Sequence, residues 1–229
     1  MTLSMVKVIG FLSIIKNKMS TKILVLGAGG AIAQHAINFL QENKDIELTL
    51  FARDTQKLPQ VGSGANIISG DVLNTEDLTN AIKGQDIVYA NLAGDVDKMA
   101  TAIAETMIQQ GVKRLIFVTC LGVYDEVAGK FGEWNNMMIG SELVRYGKAT
   151  RNVEKSGLDY TVVRPSWLTD KDETDFETTQ KGEAFVGTEV ARKAVGAYIA
   201  DVILHPEKDV KASVGVNKPG IYGDKPAFY

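Results

Sequence analysis

A short apolar run, Ile23-Leu24-Val25-Leu26, leads into Gly27-Ala28-Gly29-Gly30-Ala31-Ile32-Ala33. Ile32, Ala36, Ile37 and Leu40 then recur at helical spacing. This strand, glycine turn and helix narrow the choice of fold more than any other stretch of the chain. A continuous apolar run fits a strand buried on both faces, the habit of parallel sheets. The turn follows the pattern G-x-G-x-x-G/A, with Ala33 in the last small position. Gly27 permits the tight turn. Gly29 has no Cβ, so a pyrophosphate can approach the backbone. Ala33 lets helix and strand pack closely. At the helix start, Gly30, Ala31 and Ile32 turn free N–H groups and partial positive charge toward the phosphates. The turn predicts a bound dinucleotide.

The same alternation runs down the chain. Further strands are expected at Glu47–Phe51, Ile67–Ile68, Asp86–Ala90, Leu115–Thr119, Thr161–Val163 and Ala212–Val216. Between them lie helical patterns at Thr75–Lys83, Val96–Gln110, Ser141–Lys155 and Val190–Ile203, with an irregular stretch from Tyr124 to Gly140. Asn74 or Thr75 is placed to cap the first of these helices, and Gly111 to end the second. Strands alternating with helices give an α/β fold: a single Rossmann-like, doubly wound, mostly parallel sheet with helices on both faces. Right-handed crossovers favour the strand order 3-2-1-4-5-6, with a small substrate-side region inserted after the later strands. One NAD(P)-binding domain is expected over residues 19–229. Residues 1–18 read as a dispensable extension, because the apolar run Val8–Ile15 falls far short of the roughly 20 residues that span a bilayer.

Composition excludes several functions. Net charge is −3, with no long basic block, so no nucleic-acid partner is expected. The single cysteine, Cys120, rules out an internal disulfide framework and a Cys-rich metal site. His35 and His205 make no ligand-spacing motif, and the acidic run from Asp170 to Glu177 reads as a solvated loop, so no metal is expected. No segment reads as a membrane span, and a cytoplasmic location is expected.

Three further strand ends suit the same ligand. Phe51-Ala52-Arg53-Asp54 puts Arg53 where an acidic residue would accept from a 2′-OH. A guanidinium there suits a 2′-phosphate, which predicts NADP, with NAD as the alternative. Asp71, followed by Val72, is placed to accept from the adenine amino group. Asn91, Ala93 and Gly94 end the fourth strand with small residues that let a ribose pass.

These pieces, with Gly122-Val123-Tyr124 and Ser156-Gly157-Leu158-Asp159-Tyr160-Thr161-Val162-Val163-Arg164-Pro165, resemble the atypical short-chain dehydrogenase/reductase superfamily, in its NmrA-like, NAD(P)H-binding branch. The resemblance covers about residues 21–220. It implies a catalytic Ser or Thr, Tyr and Lys, with the last two spaced Y-x-x-x-K on one helix face. Lys148 fits the lysine position and would orient the nicotinamide ribose. Val144 stands where the tyrosine belongs. Tyr146 lies two residues from Lys148, about 200° around a regular helix. Cys120 occupies the serine position, with Thr119 beside it, and Tyr124 reads as a wall residue. The resemblance also implies that Pro165, Ser166 and Trp167 lie near the nicotinamide. The stretch Glu133–Met138, with one Trp and two Met, is expected either as a lid or substrate wall or as packing under a loop. Two functions follow as expectations. One is a reductase of a small planar or carbonyl acceptor that lacks the usual tyrosine acid. The other is a non-catalytic NADP(H)-sensing regulator of a protein partner.

Overall fold

The structure, a computed structural model, describes residues 20–58 and 64–229; the extension at 1–18 lies outside them. The strands are β1 (Thr21–Leu26), β2 (Ile46–Ala52), β3 (Asn66–Ser69), β4 (Ile87–Ala90), β5 (Arg114–Val118), β6 (Asp159–Pro165), β7 (Trp167–Thr169), β8 (Glu177–Gln180), β9 (Glu189–Ala191) and β10 (Ala212–Asn217). The helices are α1 (Ala31–Leu40), α2 (Thr75–Ile82), α3 (Val96–Gln110), α4 (Gly129–Lys155) and α5 (Arg192–Leu204). Eight strands form one sheet in the order β3-β2-β1-β4-β5-β6-β10-β8, and only β8 runs antiparallel to its neighbour. The expected order 3-2-1-4-5-6 is its core. A small parallel pair, β7 and β9, stands apart.

Alternate side chains of each strand feed two separate cores. Ile23, Val25, Leu48, Leu50 and Val163 pack under α1 and α5. Leu24, Leu26, Val88, Phe117 and Val162 pack under α2, α3 and α4. Burial on both faces is why these strands read as unbroken apolar runs. Asn74 caps α2, its side chain accepting from the N–H groups of Glu76 and Asp77. Gly111, at φ +73°, ends α3 in a left-handed turn. Among the described residues, no helix is long and apolar enough to cross a membrane.

Three expectations need correction. The stretch 129–140 is not irregular: α4 begins at Gly129 and is interrupted only at Ile139, where φ is −130° and ψ is 20°. Glycines at 129, 132 and 140 hide the helical pattern. Gly132 is required there, because a Cβ would lie 2.0 Å from the Val127 carbonyl oxygen. The sixth strand does not stop at Val163 but runs on through Arg164 to Pro165, which pairs in register with Val216 of β10. The acidic run is not wholly loop, because Glu177 opens the edge strand β8.

Candidate functional site

Two cavities open at the carboxyl ends of the parallel strands, where ligands bind in open α/β sheets. The first has a volume of about 250 Å³. Gly27, Gly29 and Gly30 of the turn after β1 line it, with Arg53 after β2, Asp71 and Val72 after β3, and Asn91 and Ala93 after β4. Four chain segments that are distant in sequence thus meet as expected. Gly27 sits at φ +78°, and a Cβ there would lie 2.2 Å from the Asn91 carbonyl oxygen. A Cβ on Gly30 would meet the Asn91 side-chain nitrogen at 2.3 Å. The glycine turn is therefore packed against the β4 turn, and no side chain fits between them. Asp71 is partly occupied: its Oδ1 accepts from the Leu73 N–H at 2.9 Å. Ala31 and Ile32 form the first turn of α1 behind this wall, and Gly94, at φ +94°, leads the chain on toward α3.

The residues present fit a dinucleotide. The glycines keep the backbone open to the cavity, and α1 starts at Gly30 without a side-chain cap, leaving its first N–H groups for an anion. Arg53 adds an exposed guanidinium on the same wall.

The second cavity, of about 480 Å³, adjoins the first, because Tyr146 on its wall donates a hydrogen bond to the carbonyl of Leu92, which lines the first. Thr119 and Cys120 after β5, Pro165 at the end of β6, Ser166 next to it and Trp167 at the start of β7 also line it. So do Arg192, Phe228 and Tyr229, which the sequence did not reveal. Trp167 donates from Nε1 to Asn135 Oδ1 at 3.0 Å, which fixes its ring. Its ring centroid lies 4.6 Å from that of Trp134 and 5.3 Å from that of Tyr229. The expected wall stretch 133–138 is thus helix, with Trp134 in an aromatic cluster and Asn135 buried beneath it.

Three hydroxyls of this cavity have their protons committed. Tyr146 Oη donates to Leu92 O at 3.0 Å, Thr119 Oγ1 to Val163 O at 3.2 Å, and Ser166 Oγ to Gly187 O at 2.7 Å. Burial, with the Cys120 and Glu142 side chains nearby, pushes the Tyr146 phenol up to about 12. Burial, with Glu126 and Glu142, likewise pushes the Cys120 thiol up to about 12, so it stays protonated and unreactive.

Lys148 is not where the family spacing puts it. Ala149, Thr150 and Val153 are fully buried and set the phase of α4. Tyr146 shares their side, whereas Lys148 and Val144 fall on the opposite, exposed face. Lys148 lines neither cavity. On the buried face, four residues after Tyr146, stands Thr150, whose hydroxyl donates to the Tyr146 carbonyl at 2.8 Å. Tyr124 is not a cavity wall either: its hydroxyl donates to Glu154 at 2.7 Å, under Lys181.

The Arg-Pro segment has a structural task. Arg164 is buried and ion-paired with Glu126, which is also buried. Glu126 in turn accepts from the N–H groups of Gly122 at 3.0 Å and Tyr124 at 2.9 Å. Arg164 also donates to the Ser213 hydroxyl at 3.1 Å. One guanidinium thus fixes the turn after β5 to β10 and shapes the cavity floor.

Known proteins agree with this geometry. A Rossmann-fold NAD(P)-binding family protein from Shigella flexneri is 45% identical, over 91% of this chain and 99% of that one, with a TM-score of 0.79. A short-chain dehydrogenase/reductase from Veillonella parvula, solved in complex with NADP, is 29% identical over 92% of this chain and 100% of that one, with a TM-score of 0.84. The UPF0659 protein YMR090W of Saccharomyces cerevisiae is 26% identical, over 85% of this chain and 92% of its own length. The family model described as NAD(P)H-binding matches residues 27–206, from the glycine turn to the end of α5. The chain has the Rossmann fold and belongs to this NAD(P)H-binding family.

Proposed function

We propose that the chain is a cytoplasmic, NADPH-preferring reductase of a small planar acceptor, a quinone, flavin or similar ring, and that it works without a tyrosine general acid. The observation that carries this reading is the bond from Tyr146 to the Leu92 carbonyl at the junction of the two cavities. It uses the phenolic proton that stands at the junction of the two cavities. No lysine shares its helix face to lower its pKa. When bound, the reduced nicotinamide supplies a hydride, and an electron-poor acceptor takes the balancing proton from water, so that a quinone leaves as its hydroquinone. The chain's own part is to hold and to exclude. Gly27, Gly29 and the start of α1 bind the pyrophosphate, and Arg53 the 2′-phosphate. Trp167 and Tyr229 wall the acceptor, and the hydroxyl protons of Tyr146, Thr119 and Ser166 go to backbone carbonyls rather than to an acceptor oxygen.

NADPH oxidation by the purified chain against quinones, flavins and aldehydes tests this. Turnover is expected with quinones or flavins and not with simple aldehydes. Aldehyde reduction that depends on Tyr146 would overturn it. A second reading, an NADP(H)-responsive module for a protein partner, is favoured by Met137 and Val144, apolar side chains 74% and 57% exposed on α4. It predicts NADPH binding without turnover of any acceptor.

A further inference from the structure

Helix α5 opens against the usual rule. Its first turn holds Arg192 and Lys193 and no acidic residue, although a helix N-terminus carries partial positive charge and favours anions. The N-cap, Ala191, makes no side-chain hydrogen bond. Lys193 pairs with Asp172 at 2.5 Å and lies off the cavity wall. Arg192 pairs with Asp170 at 2.7 Å, but the Asp170 side chain is 84% exposed. Water and salt screen such a pair, so it holds the guanidinium weakly. Among the described residues, Arg192 is the one charged side chain on the wall of the second cavity. The same cavity is lined by the uncharged side chains of Trp167, Phe228, Tyr229, Leu121 and Ile139, and by Tyr146 and Ser166, whose hydroxyl protons are already given to backbone carbonyls. A cation placed where the helix disfavours it, beside an aromatic cavity, breaks a local rule of the sequence, and such breaks gather at functional sites. A guanidinium matches an oxyanion through its planar fork and stays charged at every working pH.

We propose that Arg192 anchors an oxyanion on the acceptor, so that the site takes planar aromatic acceptors bearing a carboxylate, sulfonate or phosphate in preference to neutral ones. The aromatic wall recognises the ring; Arg192 exchanges Asp170 for the ligand's anionic group. This rests on the second cavity being the acceptor site, so the test reads binding by naphthalenes that cannot be reduced. Calorimetric titration of the full chain, saturated with NADP⁺, uses 2-naphthoate, 2-naphthalenesulfonate, 2-naphthyl phosphate and the neutral 2-naphthalenemethanol. The three anions are expected to bind at least about 10-fold tighter than the alcohol, the gain of a charge-assisted bond. Their ranking among themselves tells which oxyanion the site prefers. Arg192→Gln should bring them to the level of the alcohol and leave alcohol and NADPH affinities within about two-fold. Asp170→Asn keeps the guanidinium and removes its competitor, so it should tighten the anions alone. Failure of quinone turnover with this preference intact would sink the reductase and leave the anchor standing. Equal affinity of anions and alcohol in the wild type, or a preference that survives Arg192→Gln or is abolished by Asp170→Asn, would overturn the anchor.

Discussion

Arg53 and Tyr146 carry the sharpest consequences at the scale of single residues. Arg53 is exposed on the wall of the dinucleotide cavity. Arg53→Ala should weaken NADPH binding by about 10-fold and leave NADH within about two-fold, because one charge-assisted bond to the 2′-phosphate is lost. Fluorescence titration with both nucleotides checks this, and equal wild-type affinities would remove its basis. Tyr146→Phe should keep reductase activity within a few-fold, whereas loss of a general acid typically costs about 10²–10⁴-fold. Steady-state rates with a quinone decide between the two. Lys148→Ala should change neither affinity nor melting, since Lys148 is exposed and outside both cavities. The position of Arg53 was legible because it is counted from the glycine turn along two strands. Lys148 was misplaced because spacing alone does not give the phase of a helix; the burial of Ala149, Thr150 and Val153 does. Arg192, Phe228 and Tyr229 had no local pattern to show that they meet Trp167. For Arg192 the signal was present but unread: a cation in the first turn of a helix.

Among the elements, the parallel strands were the most legible, because burial on both faces leaves runs such as Leu115–Val118 without polar interruption. The polar edge strand β8, Glu-Thr-Thr-Gln, pairs only with β10 and gives no such run. The first half of α4 was lost among its glycines. The turn between β5 and α4 depends on a contact that no local pattern predicts, the buried pair of Arg164 with Glu126. Removing one partner of such a pair leaves an uncompensated buried charge, which typically costs about 3–5 kcal/mol. Glu126→Ala should therefore lower stability by about that amount, and it also frees the N–H groups of Gly122 and Tyr124. Chemical denaturation measures it. A loss under about 1 kcal/mol, the scale of an exposed pair, would show that this turn is held by something else. Because Thr119, Cys120 and Leu121 line the second cavity just before this turn, the same variant should, on the proposed function, raise KM for the acceptor more than for NADPH.

On the scale of the whole molecule, one sheet edge carries both cavities, and the strands beneath them are the rigid core of the fold. A ligand that bridges the turns after β1, β2, β3 and β4 binds only the folded chain, so its binding adds to folding stability by mass action. At 100 times Kd the gain is about 2.7 kcal/mol. For a chain of 229 residues, each kcal/mol moves Tm by about 2–4 °C, so NADPH should raise it by about 5–10 °C. NADH at the same concentration should raise it less, because it lacks the 2′-phosphate proposed to meet Arg53. Arg53→Ala should bring the NADPH shift down to that of NADH without altering the melting of the unliganded chain, since Arg53 is exposed and outside the core. Gly27→Ala should instead lower Tm without ligand and abolish both shifts, because its Cβ would press on the Asn91 carbonyl at φ +78°. Differential scanning calorimetry separates these patterns. A Gly27→Ala chain that melts as the wild type does and still gains stability from NADPH would show that the packing of the first turn against the β4 turn does not build the dinucleotide site.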